Sequence, residues 1–133
     1  MSEIRTGKIG EVLCLLRLTQ LGLQADIVQS GTTDILVFDG PKLWRIQVKA
    51  SHLKQNKSSM GYQFSTCKGG GAKTPLTRQD CDILACVAVP VERVLFLPVD
   101  QILNCKTKRF KIKDFEQKDL EQATWQACMD WLK

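Results

Sequence analysis

Residues 44–50, WRIQVKA, alternate apolar and polar side chains. Successive side chains of a β-strand point to opposite faces of the sheet, so Trp44, Ile46 and Val48 suit a buried face. The other face then holds an amide, Gln47, beside an ammonium group, Lys49. Buried polar groups need partners, so these two side chains are poorly suited to an apolar core. The pattern therefore predicts a strand with a polar site on one face.

The segments before and after this strand predict a helix followed by a strand meander. Residues 9–22, IGEVLCLLRLTQLG, repeat apolar positions at helical spacing; Thr6 is the expected cap and Gly22 the expected end. The expected packing face of this helix consists of Ile9, Val12, Leu13, Leu16 and Gln20, widened by Leu15 and Leu18. Three short runs rich in Ile, Val and Leu follow, separated by turn residues: LQADIVQS, TDILVFD and LWRIQVKA.

The second half of the chain predicts further strands and a last helix. Between His52 and Thr77 the core pattern is lost, except for one strand candidate, GYQFST. Order resumes in CDILACVAVP and RVLFLPVD, which are two strongly apolar strand candidates. The closing segment DLEQATWQACMDWLK predicts a helix with a packing face of Leu120, Thr124, Ala127, Cys128 and Trp131.

Length and composition predict one globular domain spanning residues 1–133. Hydrophobic residues make up 44% of the chain, and no apolar run approaches the roughly 20 residues that span a bilayer. The first residues, MSEIRTGKIGE, lack the apolar segment of a secretory signal, so we expect a cytoplasmic protein without membrane contacts. The six cysteines form no CxxC pair and the chain has a single histidine, which favours buried structural thiols over a zinc site.

The charge distribution predicts a polyanionic partner. The net charge is +5, and no acidic residue occurs from Gly40 to Gln79. We expect the basic loops of this region to contact a nucleic-acid backbone through Lys54, Lys57, Lys68, Lys73 and Arg78. A second basic run, CKTKRFKIK at residues 105–113, fits either another phosphate-binding track or an edge strand protected by lysines.

A hairpin around residues 39–42 sets the register of the polar site. A four-residue connection there pairs Phe38 with Leu43 and places Asp34 opposite Gln47, on the face that also holds Lys49. Carboxylate and amide oxygens are hard donors that suit Mg²⁺. Lys49 then lies where it can orient an attacking water or stabilise charge on a phosphate, and Glu11 of the first helix is a candidate second carboxylate.

This order of residues resembles the PD-(D/E)xK nuclease superfamily. The helix Glu is Glu11, the strand Asp is Asp34, and the (D/E/Q)xK triplet is Gln47-Val48-Lys49. The segments GKIGEVLCLLRLTQLG, TDILVFDGPKLWRIQVKAS and CDILACVAVPVERVLFLPVDQI look most like the group I intron homing endonucleases of that fold, which also use Gln at the triplet's first position. Archaeal Holliday junction resolvases share the layout more distantly. The resemblance spans residues 7–103.

The resemblance implies a restriction-endonuclease-like α/β sandwich, with a mixed central sheet flanked by the N-terminal and C-terminal helices. It also implies Mg²⁺-dependent hydrolysis of DNA phosphodiester bonds, with Mn²⁺ as a substitute and with metal ligands drawn from Glu11, Asp34, Gln47 and the Val48 carbonyl. The implied partners are double-stranded or branched DNA and further copies of the chain in a dimer or tetramer.

Two departures from the family pattern leave alternatives open. Thr33 replaces the proline of the motif, and Gln47 removes one negative charge from the metal site. The alternatives to a homing-type endonuclease are a Holliday junction resolvase or other structure-specific nuclease, and a non-catalytic DNA-binding module whose metal site has decayed.

Overall fold

The computed structural model describes residues 2–56, 59–69 and 72–133. The chain begins with helix α1 (Glu3–Gln20) and ends with helix α2 (Leu120–Leu132). The strands between them are β1 (Gln24–Ser30), β2 (Thr33–Asp39), β3 (Lys42–Ser51), β4 (Leu53–Asn56), β5 (Ser59–Ser65), β6 (Cys67–Lys68), β7 (Thr74–Pro75), β8 (Ile83–Ala88), β9 (Arg93–Pro98) and β10 (Thr107–Lys111). Short 3-10 turns follow β8, β9 and β10.

The central sheet has the strand order β1-β2-β3-β8-β9. Strands β3 and β8 run parallel and the other neighbours run antiparallel, so the sheet is mixed. A smaller sheet has the order β10-β5-β4, and β6 pairs with β7. The basic run at residues 105–113 therefore includes an edge strand, as one of its two interpretations predicted.

Apolar side chains are buried on both faces of the central sheet. On one face, α1 and α2 cover a cluster that includes Cys14, Ile35, Val48 and Trp125. On the other face, the smaller sheet covers a second cluster, which contains Tyr62 and Phe64. Strand β8 is buried along its whole length because both of its faces are covered, which explains its continuous apolar sequence. The predicted α/β sandwich with flanking helices is confirmed.

Helix α1 packs through a face that overlaps only in part with the one that its sequence predicts: Leu18 is buried and Leu13 and Leu15 pack against the core as expected. Its buried residues are Gly10, Cys14 and Leu18. Val12 and Leu16, which were expected in the core, are 52% and 46% exposed. The small residues allow a close approach: a Cβ atom added to Gly10 would lie 2.7 Å from the Cβ atom of Ala50 in β3.

The ends of α1 agree only in part with the expectation. The helix begins at Glu3, with the Ser2 hydroxyl accepting a hydrogen bond from the Arg5 N–H, so Thr6 lies inside it and is not its cap. Gly22 follows the helix end in the left-handed region (φ 85°), as predicted.

Helix α2 buries Leu120 and Cys128 as predicted, but its packing face is rotated from the expected one. Trp125 is buried because its ring packs edge-on against Phe96, with centroids 5.3 Å apart. Trp131, which was expected in the core, is 54% exposed, and Ala127 is exposed as well.

The hairpin between β2 and β3 has the predicted register with a shorter turn. Phe38 pairs with Leu43, and Asp39 pairs with Lys42, so only Gly40 and Pro41 lie outside the ladder. The register is the same as that of the predicted four-residue connection, since both pair the same residues.

All six cysteines are free thiols, and five of them are buried. Neither described helix is long and apolar enough to cross a membrane.

Candidate active site

Asp34 lies at the start of β2, and a single hydrogen bond fixes its carboxylate to β3. Its Oδ2 atom accepts this bond from the backbone N–H of Val48 at 2.8 Å. The pKa of Asp34 is raised above its ordinary value, mainly by burial. The hydrogen bond from Val48 and the charge of Lys49 lower this pKa, while the charge of Glu11 raises it further. The preceding residue, Thr33, is buried. Asp34 is thus held rigidly in a site that does not favour an unpaired negative charge.

The position of Gln47 relative to Asp34 follows from the register of the hairpin. Ile35 pairs with Ile46, and the same ladder places Asp34 opposite Gln47. The Gln47 Oε1 atom is buried and has no hydrogen-bond partner among the described residues. An unpaired buried acceptor costs stability, so a hydrogen-bond donor or a cation at this oxygen would stabilise the protein.

Lys49 extends from the same face of β3 toward the smaller sheets. Its Nζ atom donates a hydrogen bond to the carbonyl oxygen of Cys67 at 2.9 Å. Burial lowers the pKa of Lys49, the charge of Asp34 raises it, and that of Lys73 lowers it further. The ammonium group is therefore partly desolvated, lies within electrostatic reach of Asp34, and is oriented by β6.

Glu11 reaches the site from α1. Its carboxylate affects the pKa of Asp34, and its Oε1 atom accepts a hydrogen bond from Gln29 Nε2 at 2.6 Å. Gln29 has a positive φ of 50° in an irregular part of β1, where the register with β2 shifts. Gln29 and the Cys67 carbonyl have no local sequence signal and could not be predicted from the sequence. Two glycines lie near Glu11 in α1. Gly10 lets the helix pack closely against β3, whereas a Cβ atom added to Gly7 would have no neighbour within 4 Å.

The donor atoms fit a magnesium ion. Among the described residues, no three His, Cys, Asp or Glu side chains are arranged to hold a metal. The available side-chain donors are instead the Asp34 carboxylate and the unpaired Gln47 Oε1. The Val48 carbonyl, expected as a further ligand, stays a prediction. Mg²⁺ is usually bound by one or two carboxylates and keeps several water ligands, so a small set of hard oxygen donors suffices.

The five basic residues expected to bind DNA differ in their surroundings. Lys68 forms an ion pair with Asp80 at 2.5 Å, and Arg78 forms ion pairs with Asp82 and Asp100 at 3.3 and 3.2 Å. The other three expected residues are Lys54 and Lys73, whose side chains are exposed, and Lys57, which lies outside the described residues. The local charge of Lys68 and Arg78 is thus partly neutralised, and their role in DNA binding stays a prediction.

The protein matches known proteins in its structure but not in its sequence. No family model and no curated protein matches the sequence. Among solved structures, the chain is similar to a bacterial homing endonuclease, I-Ssp6803I, with a TM-score of 0.75 and 15% sequence identity. The alignment covers 98% of this chain and 95% of that protein. At this identity the match establishes the fold alone: this chain has the fold of a bacterial homing endonuclease.

Proposed function

We propose that the protein is a Mg²⁺-dependent DNA endonuclease that hydrolyses phosphodiester bonds. The observation that supports this most directly is the buried, unpaired Oε1 atom of Gln47 beside the fixed carboxylate of Asp34. The match to the fold of a homing endonuclease and the acid-free basic region from Gly40 to Gln79 agree with a DNA substrate.

Each residue of the site has a chemical role in this proposal. Asp34, Gln47 and the Val48 carbonyl hold the metal, and Glu11 completes the site directly or through a water. Bound Mg²⁺ supplies a Lewis acid that polarises the phosphate and lowers the pKa of a ligated water. Lys49 orients the attacking water and stabilises negative charge that develops on the phosphate. The Cys67 carbonyl keeps the ammonium group of Lys49 directed toward the site.

A double-strand cut requires two such sites. We therefore propose a homo-oligomer, dimer or tetramer, acting on duplex DNA in the manner of a homing endonuclease. A junction-resolving nuclease needs the same chemistry but a four-way substrate, which is recognised mainly by shape and phosphate contacts.

The test is a cleavage assay with linear duplex, four-way junction and single-stranded DNA, in Mg²⁺, in Mn²⁺ and in EDTA. The duplex substrates are drawn from a plasmid library with a randomised insert, because the target sequence is unknown. We expect metal-dependent cleavage of duplex molecules and its loss in Asp34→Asn. Preferential cutting of the junction would replace the homing assignment with the resolvase one.

A second candidate is a DNA-binding module without hydrolytic activity. The observations that favour it are the neutral side chain at Gln47 and the hydrogen bond between Glu11 and Gln29, which engages the second carboxylate. A wild-type protein that binds DNA but cuts no substrate in either metal would establish this alternative and end the endonuclease proposal.

A further inference from the structure

The smaller sheet has an outer face that points away from the core. Tyr62 and Phe64 of β5 are buried against the central sheet, so the residues between and beside them point the other way. Residues directly opposite one another in an antiparallel pair share a face. The register then assigns to the outer face Lys54, Gly61, Gln63, Ser65, Thr107, Arg109 and Lys111.

These side chains form three rows across the sheet. Lys54 and Lys111 lie on either side of Gly61, Gln63 lies opposite Arg109, and Ser65 lies opposite Thr107. No member of the outer face has a carboxylate or a large apolar side chain. Beside the sheet, Asp114 accepts a hydrogen bond from the Lys111 backbone N–H at 2.8 Å.

Arg109 has a fixed guanidinium group with an unused donor. Its Nη2 atom donates to the carbonyl oxygens of Lys54 and Ser59, both at 3.2 Å. The guanidinium lies over Gly61, where an added Cβ atom would be 3.3 Å from Nη2. The Nη1 atom is buried without a hydrogen-bond partner among the described residues. The pairing of Gln63 with Arg109 thus places an amide, which both donates and accepts, beside an immobilised cation.

We propose that this outer face reads base edges in the major groove of double-stranded DNA, and that Gln63 is a specificity-determining residue. The inference rests on the proposed function and deepens it. The major groove admits a two-stranded β-ribbon, and a Gln amide can form a bidentate pair with adenine. Lys54 and Lys111 flank the amide row and contact phosphates, which carry the complementary charge.

The reading face lies only a few residues along the chain from the proposed cleavage site. Gln63 is four residues before Cys67, whose carbonyl binds Lys49. At about 3.3 Å per residue, the two Cα atoms are at most about 13 Å apart. With the reach of the side chains added, Gln63 contacts a base within about four to six base pairs of the cut, at 3.4 Å per base pair.

The experiment selects bound duplexes from a randomised pool, with Ca²⁺ in place of Mg²⁺ so that binding is read without cleavage. Wild type, Gln63→Ala and Gln63→Glu are compared, with Gln122→Ala on α2 as the matched control. We expect the Gln63 variants to lose sequence preference at one or two positions of the consensus and to bind the wild-type consensus about 10- to 100-fold more weakly. Gln122→Ala should select the wild-type consensus.

The lysines of the outer face provide an internal contrast. Lys54→Ala and Lys111→Ala should weaken all duplexes alike and lower the slope of log K against log salt by about one each. Thermal melting of every variant verifies that it is folded.

The outcomes separate this inference from the proposed function. If Gln63→Ala and Gln63→Glu select the wild-type consensus with wild-type affinity, the reading face is wrong, and metal-dependent cleavage by the same proteins leaves the proposed function intact. Binding to junctions or single strands without a consensus also overturns base reading while DNA binding stands. A wild-type protein that binds no DNA overturns both.

Discussion

The Oδ2 atom of Asp34 accepts a hydrogen bond from the backbone N–H of Val48, 2.8 Å away on the neighbouring strand. This contact uses one carboxylate oxygen, Oδ2, for positioning. It also places the carboxylate between the two side chains that flank Val48, Gln47 and Lys49. A backbone donor cannot be removed by a side-chain substitution, so this contact persists as long as the hairpin keeps its register.

Replacing Lys49 by Ala should lower the cleavage rate by about 10²–10³-fold while leaving DNA affinity within a few-fold of wild type. In the proposed mechanism the ammonium group stabilises charge on the phosphate, and removing one such electrostatic contact costs about 10²–10³ in rate. The measurement is the single-turnover cleavage rate beside equilibrium binding in Ca²⁺.

Lys118→Ala, an exposed lysine before α2, is the control for loss of positive charge. Cleavage by Lys49→Ala at the wild-type rate would remove this residue from the mechanism.

Replacing Gln47 by Glu should make the metal-free protein less stable and the metal-bound protein more stable. Without metal, a second carboxylate beside Asp34 adds like-charge repulsion in a half-buried site. With metal, the added charge strengthens binding, and a ligand that binds only the folded state raises its stability.

The measurement is the melting temperature against Mn²⁺ or Mg²⁺ concentration for wild type, Gln47→Glu and Gln47→Ala. We expect the largest metal-dependent increase for Gln47→Glu and the smallest for Gln47→Ala. Equal increases in all three proteins would show that Gln47 is not a ligand.

Alanine substitutions at the two glycines of α1 should have opposite effects on the free energy of unfolding. Gly7→Ala should stabilise the protein by up to about 1 kcal/mol, since Ala is the better helix former and nothing lies within 4 Å of the added methyl group.

Gly10→Ala should destabilise the protein by about 1–3 kcal/mol, because the added methyl group would meet the Cβ atom of Ala50 at 2.7 Å. The gain in helix propensity is the same as for Gly7→Ala, so the clash decides the sign. Urea denaturation of both variants measures the difference. A stabilised Gly10→Ala would mean that α1 does not approach β3 this closely.

Replacing Glu121 by Gln should cost about 2–3 kcal/mol at neutral pH. Glu121 is largely buried and accepts hydrogen bonds from Arg93 at 3.0 Å and from the Val94 N–H at 2.8 Å, which joins α2 to β9. Burial alone would raise the pKa of Glu121, but these partners outweigh it and lower the pKa.

A carboxylate whose folded-state pKa is lowered stabilises the protein above its unfolded pKa, about 4.3 for Glu. The difference between wild type and Glu121→Gln should therefore be constant above that pH, shrink as the pH falls below it, and vanish below the folded-state pKa. Denaturation across this range measures it, with the exposed Glu116→Gln as control. A difference that grows in acid would refute the assignment.

The sequence was sufficient to predict the central strands and to predict which residues share one face of the hairpin. Alternation in a strand is a property of the backbone, and a short turn leaves few registers between β2 and β3. The shared face of Asp34, Gln47 and Lys49 could therefore be predicted from residues 34–49 alone. The turn is shorter than expected because Asp39 and Lys42 also pair, but every predicted pair of residues is kept.

The packing of the helices could not be predicted in the same way. Apolar spacing placed Val12 and Leu16 in the core, yet a stripe through Gly10 and Cys14 is buried, because small residues let α1 approach the sheet more closely than leucines would. Trp131 likewise is exposed while Trp125 is buried. A periodic pattern indicates that a helix has a packing face, but the shape of the surface beneath it decides which face packs.

By itself, the sequence determined that an amide, a carboxylate and an ammonium group share one side of a hairpin, because backbone geometry within two adjacent strands enforces it. Only the tertiary structure decided that Gln29 binds Glu11 and that the Cys67 carbonyl binds Lys49. Each of these pairs is separated by 18 residues. Contacts of that kind follow from how whole elements pack, and no local pattern encodes them.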